Sequence, residues 1–311
     1  MKNCFSIFLT AAIFAASMVG CKSSKNIESS TQKEIANTIL IKQTSSNIED
    51  NIITAKYDNG TTLYYRILDN FGNVSVTWDR TNGRKSFDDG VSSYKGKIDI
   101  PSFVYTGDNG EFVFRVMEID ENAFYGCDRI TSVSVPFSIV RILPNAFKGC
   151  TGIEKYNVNQ DNQTYRDIDG VLFSRDSTML IDYPSKKNAA EYLVPQTVSY
   201  ICTSAFMGNT FLKKVSIGNF CTAISDFAFM GCTALKEVEL GNHVRIIGAQ
   251  AFKNCSSLEI INARGIFPAH NSPTVFDDAT KQNCKLYVPK GQMQNYKRRL
   301  EWGDFKNMQE Y

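Results

Sequence analysis

The sequence predicts a solenoid of stacked repeats with a parallel ladder of short strands. An Ala-Phe pair recurs at a fixed interval, apolar residues occupy fixed offsets from it, and each copy ends in a short alternating segment. Self-similarity at a period of 20 to 50 residues is typical of a solenoid, because one unit alone cannot bury its apolar face.

The Ala-Phe pair sets the period. Three of the four intervals between successive pairs are 23 residues, and the other is 59, which is one period plus an insertion of 36 residues. The pairs are Ala123-Phe124, Ala146-Phe147, Ala205-Phe206, Ala228-Phe229 and Ala251-Phe252.

Columns at fixed offsets from the pair are apolar in every copy. Four residues before the Ala stand Ile119, Ile142, Ile201, Ile224 and Ile247. Six residues after the Phe stand Ile130, Ile153, Leu212, Leu235 and Leu258. Such columns predict interior positions shared by all repeats.

Each copy ends in a segment with period 2, as in Leu235–Leu240. This pattern predicts a half-buried strand, and successive strands are expected to stack about 4.8 Å apart. The stretch around the Ala-Phe pair, such as Asp120–Gly126, has a polar start and a terminating Gly, which favours a single helical or 3₁₀ turn.

Leu-x-x-Val-x-Leu strands after an Ala-Phe-x-Gly-Cys turn resemble the BspA-type leucine-rich repeats of bacterial surface proteins, over roughly residues 95–311. The resemblance implies an α/β fold: a curved leucine-rich-repeat β/α solenoid with a parallel strand ladder. Some members of that family are adhesins for host or bacterial surfaces, so the resemblance also suggests binding.

The N-terminus carries an export signal. Residues 1–20 contain Lys2 and an apolar run, and this pattern predicts a signal peptide rather than a spanning helix. Small residues directly before Cys21 resemble a lipobox, which implies lipidation of Cys21, a membrane anchor and an outer-membrane lipoprotein of the cell envelope. Ordinary secretion, with Cys21 as an incidental thiol, is the alternative. The side of the outer membrane that the protein faces stays open.

Composition divides the remaining chain. We expect a flexible tether at residues 21–51, rich in Ser, Thr, Asn and Lys. Antiparallel β hairpins at 52–115 form an N-terminal cap that merges into the first repeat. The solenoid spans 116–289, with a hairpin insertion at about 159–192, and an amphipathic helical cap follows at 290–311.

Cysteine usage favours buried thiols over a disulfide framework. Of nine cysteines, four occupy the repeat column three residues after the Phe, and Cys221 takes the place of Val or Ile in another column. Oxidation of adjacent column members remains an alternative, although side chains stacked in one direction rarely meet disulfide geometry. The column members are Cys127, Cys150, Cys232 and Cys255.

Motifs for catalysis, cofactors or metals are lacking. His243 and His270 have no Cys, Asp or Glu at zinc-ligand spacing, and no nucleophile or phosphate-loop motif occurs. Oxygen-rich stretches at 159–163 and 167–169 depart from calcium-loop spacing, so solvated loops are the favoured interpretation. The formal net charge of +2 gives no indication of nucleic-acid binding.

The remaining candidate site is the outward face of the strand ladder. Residues eight and ten after the Phe should point outward, beginning with Ser132 and Ser134. The candidate binding residues are Lys155, Asn157, Lys214, Ser216, Glu237, Glu239, Ile260 and Asn262. We expect a non-enzymatic module that adheres to a host or bacterial surface protein or glycan. The alternative is a structural or scaffolding subunit of an envelope complex without an external ligand.

Overall fold

A computed structural model describes residues 43–49, 51–80, 92–107, 110–266, 268–272 and 274–311. The predicted signal peptide, Cys21 and most of the predicted tether lie outside these residues. The last part of that tether is corrected, because residues 43–49 form a strand.

An N-terminal sheet precedes the repeats. Strands β1 to β4 form an antiparallel meander, β4 pairs in parallel with β7, and β7 pairs with β6 and β9. The strands are β1 (Gln43–Glu49), β2 (Ile52–Tyr57), β3 (Thr62–Ile67), β4 (Asn73–Thr77), β6 (Phe103–Thr106), β7 (Phe112–Ile119) and β9 (Arg141–Ile142).

Strand β1 escaped sequence analysis because polar contacts hold it. Its backbone pairs with β2, and the Ser46 hydroxyl donates to the Tyr105 carbonyl at 2.7 Å. The Tyr105 amide in turn donates to Gln43 Oε1 at 3.0 Å. A strand held by such bonds carries no hydrophobic alternation to detect.

The repeats form two parallel ladders. The first ladder carries the segments predicted as strands, and it is divided into a three-stranded and a six-stranded sheet. Its members are β5 (Gly96–Asp99), β8 (Ile130–Val135) and β10 (Lys155–Val158), then β14 (Glu191–Leu193), β16 (Lys214–Ser216), β18 (Glu237–Leu240), β20 (Ile260–Ala263), β22 (Lys285–Val288) and β23 (Asn307–Glu310).

The second ladder is built from very short strands on another side of each rung. It runs β13-β15-β17-β19-β21 in parallel and begins with the hairpin strands β11 and β12. The strands are β11 (Tyr165–Ile168), β12 (Val171–Ser174), β13 (Met179–Asp182), β15 (Tyr200–Ile201), β17 (Ala223–Ile224), β19 (Ile246–Ile247) and β21 (His270–Asn271).

The Ala-Phe stretch is not the predicted helical or 3₁₀ turn. The residue before each Ala has a positive φ, as at Asn122 (57°) and Phe227 (59°), and this left-handed backbone prevents helical continuation. Instead, backbone bonds join adjacent rungs: the Phe229 amide donates to the Ala251 carbonyl at 2.7 Å. Helices are accordingly few among the described residues, and the β/α expectation is corrected to a mainly β solenoid.

The Phe residues of the repeats stack inside the coil, in one column before the insertion and a second column after it. The rings of Phe229 and Phe252 lie 5.0 Å apart with planes at 4°, and Phe206 and Phe229 lie 4.5 Å apart at 14°. Each of these rings is at most 1% exposed. Offset-stacked aromatic pairs with a large buried area stabilise the contact between adjacent rungs.

The cysteine column is buried and reduced. All seven cysteines of the described chain are free thiols, which supports the buried-thiol interpretation. Cys232 Sγ lies 3.1 Å from the Phe206 carbonyl of the preceding rung, and Cys255 Sγ lies 3.1 Å from that of Phe229. Each thiol therefore donates a bond between rungs as well as filling space.

The 36-residue insertion contains a further rung, which the spacing of the Ala-Phe pairs did not predict. Tyr183 takes the place of the Phe, since its ring stacks 4.8 Å from Phe206. Leu180 pairs with Ile201 in the short ladder, and β14 supplies the strand. Asp182 stands where other rungs have Ala, which hid this unit from sequence comparison.

The insertion also divides the core into two clusters. One buried cluster includes Phe124 and Phe147, and the other includes Phe206 and Phe252. In β12, Leu172 belongs to the first cluster, whereas Val171 and Phe173 on either side of it belong to the second. Strand β12 is therefore a wall between the two cores, and burial on both faces explains its continuous apolar run.

The C-terminus differs from the predicted helical cap. Helix α1 (Asp278–Asn283) precedes β22, and helix α2 (Met293–Lys297) has only five residues. Leu300, expected on the packed face, is 61% exposed. Strand β23 pairs in parallel with β22, so the ladder continues beyond residue 289, where the solenoid was expected to end. The buried Trp302 contacts Phe276 and Phe305.

Candidate binding face on the strand ladder

Alternation along each ladder strand sets the orientation of the candidate residues. In β18, Val238 and Leu240 are buried, whereas Glu237 and Glu239 are half-buried on the outer side. Strand β20 repeats the pattern with Ile260 and Asn262 outward. The predicted inward and outward assignments therefore agree with the structure in these strands.

The structure brings six of the eight candidate residues together. Parallel pairing sets Lys214 beside Glu237 and Ser216 beside Glu239, and the next strand places Ile260 and Asn262 in the same rows. Lys155 and Asn157 are exposed on β10, which belongs to the separate three-stranded sheet. The expectation of one continuous face is thus corrected, because the insertion interrupts the ladder between β10 and β14.

Ser132 and Ser134 are not outward surface positions as expected. Their relative exposures are only 8% and 7%. They lie in the central strand β8, between Lys97 and Asp99 on one side and the residues of β10 on the other. Short Ser side chains between longer neighbours are shielded from solvent.

The centre of the six-stranded face is a closed network of opposite charges. Lys214 Nζ lies 3.0 Å from Glu237 Oε1 and 2.9 Å from Glu239 Oε1. Arg264 Nη2 lies 2.9 Å from Glu239 Oε2, and Asn262 Nδ2 donates to Glu237 Oε1 at 3.1 Å. Two cations and two carboxylates balance, so the centre offers fixed hydrogen-bonding groups and no net charge.

The network shifts the acid–base equilibria of its members. A hydrogen bond from Lys214 lowers the pKa of Glu239, and the charges of Lys214 and Arg264 act in the same direction. The same bond to Glu239, with that to Glu237, raises the pKa of Lys214. These groups therefore stay ionised through the neutral pH range and hold one another in place.

Sequence analysis missed several members of this face. Leu193 is 66% exposed on β14, and Tyr287 is half-buried on β22 beside Asn262. The alternation of Lys285–Val288 could have identified Tyr287, because that segment lies within the predicted solenoid. Leu193 belongs to the rung in which Tyr183 replaces the Phe. Because outward positions were counted from the Phe of each Ala-Phe pair, Leu193 could not be assigned to the outer face.

Residues considered for chemistry serve structural roles. His243 Nδ1 lies 2.7 Å from the Asn219 carbonyl oxygen, and His270 Nε2 lies 3.4 Å from Arg299 Nη2. Within the described ranges, no group of three or more His, Cys, Asp or Glu side chains could hold a metal ion.

The oxygen-rich loops are bonded within the chain. Asp167 Oδ1 accepts the Val158 amide at 2.8 Å, and Asp169 Oδ2 lies 2.8 Å from Lys187 Nζ. The Asp167 carboxylate therefore completes the edge of β10, and the Asp169 carboxylate forms an ion pair.

Stacked rungs, an aromatic column and an outward polar ladder define a repeat scaffold. The model of the BspA type leucine rich repeat region matches residues 108–192 and 183–265 in six copies. The chain therefore belongs to the BspA-type leucine-rich-repeat family. No curated protein matches the chain.

Solved structures include similar bacterial proteins. A leucine-rich repeat protein from Eubacterium ventriosum is 19% identical with a TM-score of 0.49, covering 80% of this chain and 78% of that one. The pneumococcal vaccine antigen PcpA is 15% identical with a TM-score of 0.41, covering 80% and 95%. A leucine rich cell surface protein from Faecalibacterium prausnitzii is 14% identical with a TM-score of 0.36, covering 86% and 95%.

Helices in the described part of the chain are all too short or too polar to cross a membrane.

Proposed function

We propose that the protein is a non-enzymatic binding module of the cell envelope that adheres to a protein or glycan through its six-stranded ladder. The observation that carries this proposal is the outward face of β14 to β23, where rigid parallel pairing fixes a neutral polar centre between exposed Leu193 and half-buried Tyr287. Solenoids offer extended surfaces of this kind for recognition. Aromatic side chains beside ordered hydrogen-bonding groups are typical of such interfaces.

The ordered centre favours recognition by shape and hydrogen bonding. Lys214 and Glu239 are already paired, so a ligand need not immobilise them, and the entropy cost of binding is reduced. A strongly charged ligand would have to break these pairs. Uncharged polar surfaces, such as a glycan or a neutral protein patch, are therefore the favoured partners.

The test is capture of partners from host-matrix and envelope extracts by the purified protein, followed by affinity measurement on whatever is captured. Leu193→Asp places a charge on the face and should weaken binding at least tenfold. The matched control is Ile246→Asp, because Ile246 is 55% exposed on the other ladder. Equal affinity of the two variants and the parent protein would remove the ladder face from the proposal.

The alternative is a scaffolding subunit of an envelope complex, and the same capture separates it from adhesion. Binding of host-matrix components that Leu193→Asp weakens supports the adhesin. Capture of only the cell's own envelope proteins would instead support the scaffold.

We further propose that Cys21 is the lipid-modified N-terminus of an outer-membrane lipoprotein. Each buried CH₂ of an acyl chain contributes about 0.8 kcal/mol to membrane affinity, so several chains would hold the protein firmly. Cys21→Ser should move the protein from the membrane to the soluble fraction, as measured by fractionation and immunoblotting. Retention of the variant in membranes would contradict the anchor.

Protease shaving of intact cells tests which side the protein faces. Loss of the folded body on shaving supports an outward-facing adhesin, and its protection points to a periplasmic role.

The N-terminal sheet is proposed to cap the first rung. Tyr94 lies 5.1 Å from Phe124 at the start of the aromatic column, and its hydroxyl donates to the Thr77 carbonyl of β4 at 2.9 Å. These contacts join the meander to the first core and cover the end of the column.

A further inference from the structure

The gap that the insertion opens between two rungs contains a pocket. Strand β9 is an edge strand of the N-terminal sheet, and β13 is the first parallel strand of the second ladder. These two strands do not pair with each other. The space between them has a volume of about 380 Å³, within the range of small-molecule sites in proteins. None of its lining residues belongs to the six-stranded ladder, so this pocket is separate from the proposed adhesion face.

The walls of the pocket are mainly apolar and include flat side chains. Leu143, Pro144 and Phe147 come from one side of the gap, and Met179 and Tyr200 come from the other. Met179 and Tyr200 are each 39% exposed, and they stand at the rim of the opening. A ring compound would contact both walls and remove this apolar surface from water.

Hydrogen-bonding groups of the pocket are incompletely satisfied by the protein. Ser204 Oγ is buried and has no hydrogen-bond partner, although a buried hydroxyl ordinarily finds one. Ser204 also has a φ of +61°, a conformation that is uncommon for Ser. Tyr165 Oη accepts the Ile142 amide at 2.8 Å, which satisfies the open edge of β9 and leaves the phenolic hydrogen available.

Asp182 is the acidic group of the pocket. Among the described residues, no Lys or Arg side chain lies within ion-pair distance of its carboxyl group. Burial raises the pKa of Asp182 well above the usual carboxyl range, and interaction with the Tyr156 hydroxyl acts in the opposite direction. Burial and the neighbouring Asp182 raise the pKa of the Cys202 thiol to about 12. Burial therefore favours the neutral form of both groups.

The one cation among the lining residues is directed to aromatic faces. Lys148 Nζ lies 4.5 Å from the ring centre of Phe227 and 6.0 Å from that of Tyr125. Neither of these aromatic residues lines the pocket. The ammonium group is thus engaged by cation–π contacts and offers little to an anionic ligand.

We propose that this pocket binds an uncharged ring compound that carries a hydroxyl or amide group. The ring lies between Pro144, Phe147 and the rim residues, and its polar group exchanges hydrogen bonds with the Ser204 hydroxyl and the Asp182 carboxyl. A neutral carboxyl both donates and accepts, which matches a hydroxyl or an amide. An anion would have to draw Lys148 away from its aromatic contacts, and a cationic amine would require Asp182 to ionise in an apolar site.

The test uses three fluorinated probes that share one ring: 4-fluorophenol, 4-fluorobenzoate and 4-fluorobenzylammonium. Binding to the purified protein is measured by ¹⁹F NMR titration at pH 7. The expected result is saturable binding of the phenol, with the benzoate and the ammonium at least tenfold weaker. Absence of saturable phenol binding, or tighter binding of either charged probe, would overturn the proposal.

Variants place the binding in the pocket. Thr203→Trp fills the cavity from its exposed side and should weaken phenol binding at least tenfold, and Met179→Trp at the rim provides a second filling variant. Ile246→Trp, two rungs beyond Tyr200 in the same sheet, is the matched control and should leave binding unchanged. Near-ultraviolet circular dichroism confirms folding of each variant. Unchanged affinity in a folded filling variant would place the probe elsewhere and contradict the proposal.

Discussion

In three of the repeats, the Cys residue three positions after the Phe links adjacent rungs through its thiol. Cys150 Sγ lies 2.9 Å from the Phe124 carbonyl, 26 residues earlier, and Cys232 and Cys255 repeat this contact. Asn209 replaces Cys in the rung after the insertion, and its amide donates to the Pro184 carbonyl at 3.3 Å. The column therefore requires a small donor, and thiol or amide fulfils that requirement.

Asp182 is expected to make stability depend on pH. Burial raises its pKa in the folded state well above the ordinary carboxyl value of 3.8. The folded protein therefore holds this proton more tightly than the unfolded chain, so stability falls as pH rises from about 4 towards the folded pKa. Asp182→Asn keeps the shape without the ionisation, and it should be more stable relative to the parent at pH 8 than at pH 5.

Urea unfolding at the two pH values measures this difference. Asp176→Asn is the control, because hydrogen bonds from Ser174 and Thr178 lower the pKa of Asp176 and it stays ionised across this range. Parallel pH profiles for the parent protein and Asp182→Asn would show that the acid is not held neutral by the fold.

At the scale of residues, sequence analysis identified interior positions better than surface contacts. The Ile, Phe and Cys columns were predictable because every rung places the same offset in the same environment. The pairing of Glu239 with Arg264 was not, because Arg264 lies one residue beyond its strand and reaches across to the preceding rung. Such contacts depend on side-chain length and on how adjacent strands align, and the repeat spacing alone does not predict either.

At the scale of elements, close approach of successive rungs places a strict demand on particular glycines. A Cβ on Gly241, which follows β18, would lie 2.2 Å from the Gly218 carbonyl oxygen. Gly218 occupies the same repeat position one rung earlier, yet a Cβ there would meet only the Gln196 side chain, at 3.1 Å from its Oε1. The two glycines thus differ in their neighbours: a backbone carbonyl faces Gly241, whereas a movable side chain faces Gly218.

Gly241→Ala should therefore destabilise the protein by about 2–4 kcal/mol, because the backbone of the neighbouring rung must move. Gly218→Ala should change stability by less than about 1 kcal/mol, since the Gln196 side chain can rotate and Ala reduces the entropy of the unfolded chain. Guanidinium unfolding of the two variants measures both free energies. Equal effects would mean that rung spacing adapts freely at this position.

The elements that could not be predicted from the sequence are those that depart from the 23-residue repeat pattern. The rung of Tyr183 lacks the Ala, and Leu180 precedes its aromatic residue by three positions rather than the five that separate Ile201 from Phe206. Strand β23 follows Phe305 by only two residues. In each case stacking on a neighbouring rung imposes the structure, and that tertiary contact overrides a weak local pattern.

At the scale of the whole molecule, the insertion turns one solenoid into two cores that share the wall β12. Leu172 faces the first core and Phe173 the second, and both are fully buried. The amides at the interrupted edges are satisfied by the insertion itself: the Gly170 carbonyl accepts the Tyr156 amide at 2.9 Å. The interruption of the ladder after β10 therefore leaves these backbone groups hydrogen-bonded, and the pocket lies beside it.

Local disruption should consequently stay within one core. Phe124→Ala and Phe229→Ala each remove a buried ring from the aromatic column and should cost about 3–5 kcal/mol. In a repeat array, contacts run mainly between neighbours, so the loss should spread along one stack and weaken at the wall. Phe229→Ala is expected to lower amide protection in residues 171–305 and to preserve it in 52–165, with the reverse for Phe124→Ala.

Hydrogen-exchange mass spectrometry on the two variants measures this pattern, and Phe124→Leu and Phe229→Leu serve as milder versions if either Ala variant unfolds. The comparison is matched, because both rings occupy the same repeat position and are 0% exposed. Loss of protection on both sides of β12 in both variants would mean that the wall transmits unfolding and that the molecule is one cooperative unit. Confinement to the mutated side would instead mean that the insertion separates two units of stability, so that the N-terminal core could open while the six-stranded face stays ordered.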